Sequence, residues 1–348
     1  MGSISLKNVK KTYGNEIIIE NLNLEIKDGS FTVLVGPSGC GKSTTLRMIT
    51  GLETVTEGDI FIDGIRVNDV APGKRDISMV FQNYALYPTM TVEENIQFGL
   101  VNKKIPKEER QRRIKEVSEI VGLTEYLKRK PANLSGGQRQ RVALARAMVK
   151  EPNVFMMDEP LSNLDAKLRA QMRVELINMH KRMGTTFVYV THDQVEAMSM
   201  ADDIVLMDKG KIVQQSSPKE LYNNPNCIYT AQFLGSPQTN ILDGFLPDNM
   251  KLGFRPEKVL LHSIDIQEGI NIPAEIQTKE MLGSEIIYSL KTPYGVIMCK
   301  SDEDIDDGKT ITIGVPFSKM YLFGADTMRL PFNKDGENMV ANIFGGRS

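Results

Sequence analysis

The segment FTVLVGPSGCGKST, Phe31 to Thr44, constrains the fold more than any other stretch of the chain. It sets an apolar run ahead of a turn carrying Gly36, Gly39 and Gly41, with a helix expected from about Lys42. The run reads as a buried strand, and the glycines allow positive φ and close backbone approach. A loop built from Gly36, Pro37, Ser38, Gly39, Cys40 and Gly41 can turn its amides inward on an anion, with the positive end of a helix behind it. The pattern G-x-x-x-x-G-K-[ST] gives that cradle its chemistry. Lys42 reaches the β- and γ-phosphates as a point charge, and the hydroxyl of Ser43, followed by Thr44, ligates the Mg²⁺ that bridges the same oxygens.

A second element, VFMMDEP from Val154 to Pro160, is an apolar strand that ends in two carboxylates. Parallel α/β sheets deliver side chains to a ligand at the carboxyl ends of their strands. Asp158 is placed to hold Mg²⁺ through water, and Glu159, one residue further and re-aimed by Pro160, to polarise an attacking water.

The phosphate loop, Gln82, LSGGQ (Leu134 to Gln138), Asp158-Glu159, Ser162 to Asp165 and His192 occur in one order along the chain. In that order and spacing the chain resembles the ATP-binding cassette ATPases over its whole length. The resemblance implies ATP and Mg²⁺ as ligands, and a homodimer in which LSGGQ of one chain closes over the γ-phosphate held by the other. Ser135 can cap the following helix, while Gly136 and Gly137, with Gln138 after them, leave amides free at its positive end. Arg139, Arg141 and Arg146 on that helix read as a solvated basic face. By the same resemblance His192 contacts the γ-phosphate, and Gln82 senses it or the metal. Tyr13 stacks on adenine, and Asp165 crosses the dimer seam or caps the next helix. His180 and His262 read as structural. Asn83 to Met90 is apolar and aromatic where a loop should be polar, which reads either as a docking surface for another protein or as burial in a helical subdomain.

Length and pattern predict two domains. The first, residues 1–235, is the α/β cassette with a helical subdomain at about 83–150, including Lys107 to Val121 with Ile114, Val117, Ile120 and Val121 on one face. The second, residues 236–348, is a small all-β domain of the OB type. It shows runs at Lys258 to Ile264, Ile272 to Ile276, Glu285 to Leu290, Val296 to Cys299 and Thr310 to Val315. The stretch from Ile212 to Asn240 reads as a helix-containing linker. From Ser236 onward 11 Lys and Arg face 16 Asp and Glu, a net charge of −5, which argues against nucleic acid. No apolar stretch approaches the ~18 to 20 residues of a membrane span, and the start of the chain lacks a hydrophobic signal core, so attachment to the cytoplasmic face of the membrane is expected through a partner. Three separated cysteines, Cys40, Cys227 and Cys299, fit a reducing compartment, and alkylation of Cys40 is expected to block nucleotide binding.

FLGSPQTN (Phe233 to Asn240), GFRPE (Gly253 to Glu257), MLGSE (Met281 to Glu285) and YLFGADT (Tyr321 to Thr327) resemble the accessory domain of carbohydrate-uptake importer ATPases, those for maltose, multiple sugars and glycerol 3-phosphate. This implies integral-membrane permease subunits and an extracytoplasmic solute-binding protein as partners, with a regulatory protein at the C-terminal domain. An importer ATPase for a polyamine, metal or oxyanion and a cassette ATPase outside transport are the alternatives.

Overall fold

The computed structural model describes residues 2–261, 266 and 268–344. The chain divides into two compact units, Met1–Lys219 and Glu220–Ser348. This division falls earlier than the boundary read at 235/236, and Arg255 accounts for it. Its buried guanidinium donates to the carbonyls of Tyr222 and Leu234, so residues read as a linker are built into the C-terminal unit.

In the N-terminal unit β1 (Ile4–Tyr13) and β2 (Glu16–Ile26) pair antiparallel. β3 (Phe31–Val35), buried at every residue, runs into the glycine loop and α1 (Lys42–Thr50). β4 (Glu57–Ile62) and β5 (Ile65–Arg66) complete a first sheet in the order β2-β1-β4-β5. After β6 (Ile77–Val80) come α2 (Val92–Asn102), α3 (Lys107–Ile120) and α4 (Gly136–Met148). Strands and helices then alternate through β7 (Val154–Asp158), α5 (Ala166–Met183), β8 (Thr186–Thr191), α6 (Gln194–Met200), β9 (Asp203–Asp208) and β10 (Lys211–Ser216). The second sheet has the order β10-β9-β3-β8-β7-β6 and is parallel except at β10. β3, β7 and β8 are buried throughout, which is why they read as unbroken apolar runs rather than alternating ones. Their carboxyl ends lead into Gly36, Glu159 and His192, on the edge where open α/β sheets bind ligands.

The helical segment departs from its expected pattern at one position. Ile114 and Val117 are buried, but Ile120 is 41% exposed, because α3 ends there and Val121 turns inward instead.

The C-terminal unit opens within α7 (Pro218–Asn223) and continues with α8 (Ile228–Phe233), β11 (Asn240–Leu242) and β12 (Lys251–Phe254). β13 (Gly269–Met281), β14 (Ile286–Thr292), β15 (Gly295–Ser301) and β16 (Thr310–Pro316) form an antiparallel sheet in the order β15-β14-β13-β16, in which β13 to β15 meander and β16 crosses back to pair with β13. β17 (Met320–Phe323) and β18 (Arg329–Leu330) join a second, β11-β12-β17-β18, before α9 (Lys334–Phe344). Residues from both sheets and α9 share one apolar core, including Phe254, Ile272, Tyr288, Leu322 and Phe344. This is the small β domain expected, with a helix added. The run expected over Lys258 to Ile264 is not a strand where described. Pro256–Lys258 is a 3₁₀ turn and Leu260 makes an isolated bridge to Gly314, while residues 262–264, and with them His262, lie outside the described residues. Among the described residues no helix is long and apolar enough to cross a membrane.

Candidate nucleotide-binding site

Gly41, at φ 102°, is the N-cap of α1 and offers no side chain to its first turn, so the amides there stay free for an anion. Gly36, at φ 155°, passes so near the Met207 carbonyl that a Cβ would collide with it. Lys42 is only 4% exposed, and its Nζ donates to the carbonyls of Gly36 at 2.8 Å and Pro37 at 2.7 Å. The ammonium is thus held by the loop it springs from, with neutral acceptors that an anion of higher charge can replace. Cys40 overturns one expectation. Its thiol is buried against Gly36 and Lys42, and burial pushes its proton affinity up, so it is shielded from alkylation and leaves only the backbone of Cys40 to serve a phosphate.

Ser43 Oγ donates to Asp158 Oδ1 at 2.7 Å, and the Arg47 guanidinium stands 4.0 Å from Oδ2. Asp158 is 7% exposed. The pair offers oxygen donors, the set a hard cation such as Mg²⁺ takes. Among the described residues no group of three or more His, Cys, Asp and Glu could hold a metal. A cation here would draw its other ligands from phosphate and water, which is the usual habit of Mg²⁺ at nucleotides.

The second cluster is looser. Gln82 Nε2 lies 3.4 Å from Glu159 Oε2 and 3.3 Å from Ser162 Oγ, and His192 Nδ1 lies 3.4 Å from the same Glu159 oxygen. Asn163 anchors the Gln82 carbonyl at 2.9 Å. Glu159 has φ 45°, a conformation disfavoured for a residue with a Cβ, and its amide is held by the Val190 carbonyl at 3.0 Å. The carboxylate is therefore aimed by backbone from two neighbouring strands. His180, by contrast, bonds the Gly29 carbonyl and packs edge-on against Phe31 and Phe187, a structural role.

Ser135 and Gln138 form a reciprocal capping box at the start of α4: Gln138 N–H donates to Ser135 Oγ at 3.2 Å, and Ser135 N–H to Gln138 Oε1 at 2.9 Å. Gly137 packs on Leu168, where a Cβ would have only 2.8 Å to the nearest methyl. Asp165 caps α5 through Leu168 N–H at 3.0 Å. The basic face expected of α4 does not exist as read. Arg139 donates to the Leu134 carbonyl, Arg141 pairs with Glu175, and Arg146 donates to the carbonyls of Tyr84 and Ala85. Within Asn83 to Met90, Tyr84 is the buried residue and Tyr87 is exposed against Phe98, so the stretch divides between the two readings.

Tyr13 is 44% exposed, with Lys11 Nζ 4.6 Å from its ring centroid and its hydroxyl donating to Glu53 Oε2 at 2.9 Å. Its proton affinity is raised by partial burial and by Glu53, whose own is lowered by the bond from Lys11. Two groups escaped the sequence reading, Glu53 and Arg47. Arg47 had a usable signal: it lies one helical turn after Ser43, on the same face. Geometry thus joins Ser43, Asp158 and Arg47 as one group and Gln82, Glu159 and His192 as another, while Lys42 bonds to its own loop and Ser135 to Gln138 bonds within itself.

A family model described as ABC transporter matches residues 19–162. The chain is 47% identical to an uncharacterized ABC transporter ATP-binding protein, YcjV, of Escherichia coli O157:H7, covering 94% of this chain and 99% of that one. It is 46% identical to the oligosaccharides import ATP-binding protein MsmX of Bacillus subtilis, with the same coverage. It is 44% identical to the maltose/maltodextrin import ATP-binding protein MalK of Salmonella typhimurium, covering 94% and 96%. A solved dimeric structure of the ATP-binding cassette MJ0796, in a post-hydrolysis state with ADP and Pi, superposes with a TM-score of 0.56 at 37% identity, covering 62% of this chain and 98% of that one. With the phosphate loop, the carboxylate pair and this full-length similarity together, the chain belongs to the ABC transporter family, as an ATP-binding and ATP-hydrolysing subunit of the importer type.

Proposed function

We propose that the chain energises uptake of sugars or glycerol phosphates through a membrane permease, working as a homodimer that holds two ATP molecules. The observation that carries this reading is similarity to MsmX and MalK that continues through the C-terminal unit rather than stopping at the cassette. In the proposed cycle the loop amides and Lys42 hold the β- and γ-phosphates and Tyr13 stacks on the base, while Ser43 and Asp158, aided by Gln82, are the residues that would hold Mg²⁺. Bound Mg²⁺ would neutralise charge on the phosphate oxygens. Glu159 accepts the proton of the attacking water, while His192 and Gln82, both near its Oε2, fix its direction. Ser135 and the amides after it meet the γ-phosphate of the opposite chain, and Asp165 lies at that seam. ATP contacts both chains only when they are closed, so it favours closure by its differential affinity and hydrolysis reopens the pair. The exposed residues of Asn83 to Met90, Tyr87 among them, face the permease, an external binding protein delivers the solute, and the C-terminal unit receives a regulator.

The test is uptake of labelled sugars and glycerol phosphates in cells lacking the chain, complemented with the parental form or with Glu159→Gln. Loss of one or more uptakes, restored by the parental form alone, is the expected result. Full uptake of every solute in the deletion would move the chain to another solute or out of transport.

A further inference from the structure

The segment after Gln82 is held in an unusual state. Tyr84 and Ala85 are adjacent non-glycine residues with φ of 62° and 47°, each disfavoured by its Cβ. One side chain covers both: Arg146 donates through Nη2 to the Tyr84 carbonyl at 2.8 Å and through Nη1 to the Ala85 carbonyl at 2.5 Å, and its guanidinium lies 5.7 Å from the Tyr87 ring centroid. Arg146 belongs to α4, whose first residue follows Ser135. At ~1.5 Å per residue a rigid helix of about 16 Å therefore runs from the signature segment to a two-pronged grip on the segment that carries Gln82.

We infer that Arg146 is a positioning residue that links the two nucleotide sites, by transmitting engagement of Ser135 with one ATP to the placement of Gln82 at the other. The inference rests on the two-chain reading given under Proposed function. A planar fork with two donor nitrogens spans two adjacent carbonyls, whereas an ammonium offers them a single centre. The strained turn relaxes when the grip loosens, and Gln82 with it. An arginine that only packed α4 would be indifferent to the conformation of Ala85, which is exposed.

The experiment is the ATP dependence of hydrolysis by the full-length chain, read as a Hill coefficient, beside ATP affinity at a protein concentration too low for pairing. The parental coefficient is expected above 1. In Arg146→Lys it falls to 1, with single-chain affinity changed less than twofold. Adding Ala85→Gly, which adopts φ 47° freely, returns it toward the parental value. Ala85→Val, which strains the same turn and keeps Arg146, lowers it too and carries the test if Arg146→Lys does not fold. A parental coefficient retained in Arg146→Lys or in Ala85→Val, or one lost in Arg146→Lys and not recovered with Ala85→Gly, overturns the inference and leaves the two-chain reading standing. A parental coefficient of 1 overturns that reading and the inference with it.

Discussion

Lys42 in the N-terminal unit and Arg255 in the C-terminal unit are both buried cations, 4% and 2% exposed, with different surroundings. Arg255 donates to the carbonyls of Tyr222 and Leu234 and to Thr239 Oγ1, and stacks 3.6 Å from the Tyr222 ring centroid. Its acceptors come from three separate stretches of chain, so the guanidinium is what holds them together. The acceptors of Lys42 are two carbonyls of the loop it grows from, and they fix nothing distant. Burial alone does not mark a charge as functional. What separates the two is whether the acceptors would be stranded if the charge were drawn elsewhere.

The widest separation of the two units is expected from Glu159→Gln, which should cut ATP turnover by ~10²- to 10⁴-fold, the range of a lost general base, while ATP binding and both unfolding transitions stay put. Phosphate release and equilibrium dialysis read the two, and parental turnover would remove Glu159 from its proposed role. Arg255→Met should cost about 3 kcal/mol in urea unfolding of the C-terminal unit, because buried carbonyls lose their donor, and should leave ATP affinity unchanged. If stability holds, the contrast drawn above is broken. Lys42→Met should weigh the other way, weakening ATP binding at least tenfold, ~1.4 kcal/mol, while costing the N-terminal unit less in urea unfolding than Arg255→Met costs the C-terminal one, because only two neighbouring loop carbonyls lose a donor. Ser135→Ala removes an N-cap, for about 1 kcal/mol. The smallest effect belongs to the thiols. Burial raises Cys40 and pushes Cys299 up to about 12, so at pH 8 both remain protonated and a thiol reagent should label neither until urea is added.

Legibility also differed between the units. The glycine loop, the carboxylate pair and the capped start of α4 could be read because each is short in sequence and its hydrogen bonds are local. β13 to β16 could be read because each leaves a short apolar run between turns, and in β13 the buried Ile272, Ala274 and Ile276 alternate with exposed Pro273 and Glu275. β12 and β17 could not: KLGF and MYLF are four-residue strands, buried almost throughout, and leave no alternation to find. α9 carries Gly336 in its first turn, which hid the pairing of Val340 with Phe344, although Asn333, accepting from Gly336 N–H at 3.1 Å, was a fair starting signal. The arginines of α4 were misread because their acceptors are remote: the Tyr84 and Ala85 carbonyls are presented by a left-handed turn that no pattern in Asn83 to Met90 announces.

The capping box at Ser135 leaves an imbalance inside a single hydroxyl. The oxygen already receives a hydrogen from the Gln138 amide, while its own hydrogen is free to rotate outward. A seryl cap therefore stabilises its helix and still has a proton to lend, which an aspartate in the same seat could not do. Asp165, capping α5 with a carboxylate, has only acceptors to offer. Two helices begun by the same local device thus present opposite faces to an approaching oxyanion, one welcoming and one repelling, and the choice turns on a single hydrogen atom.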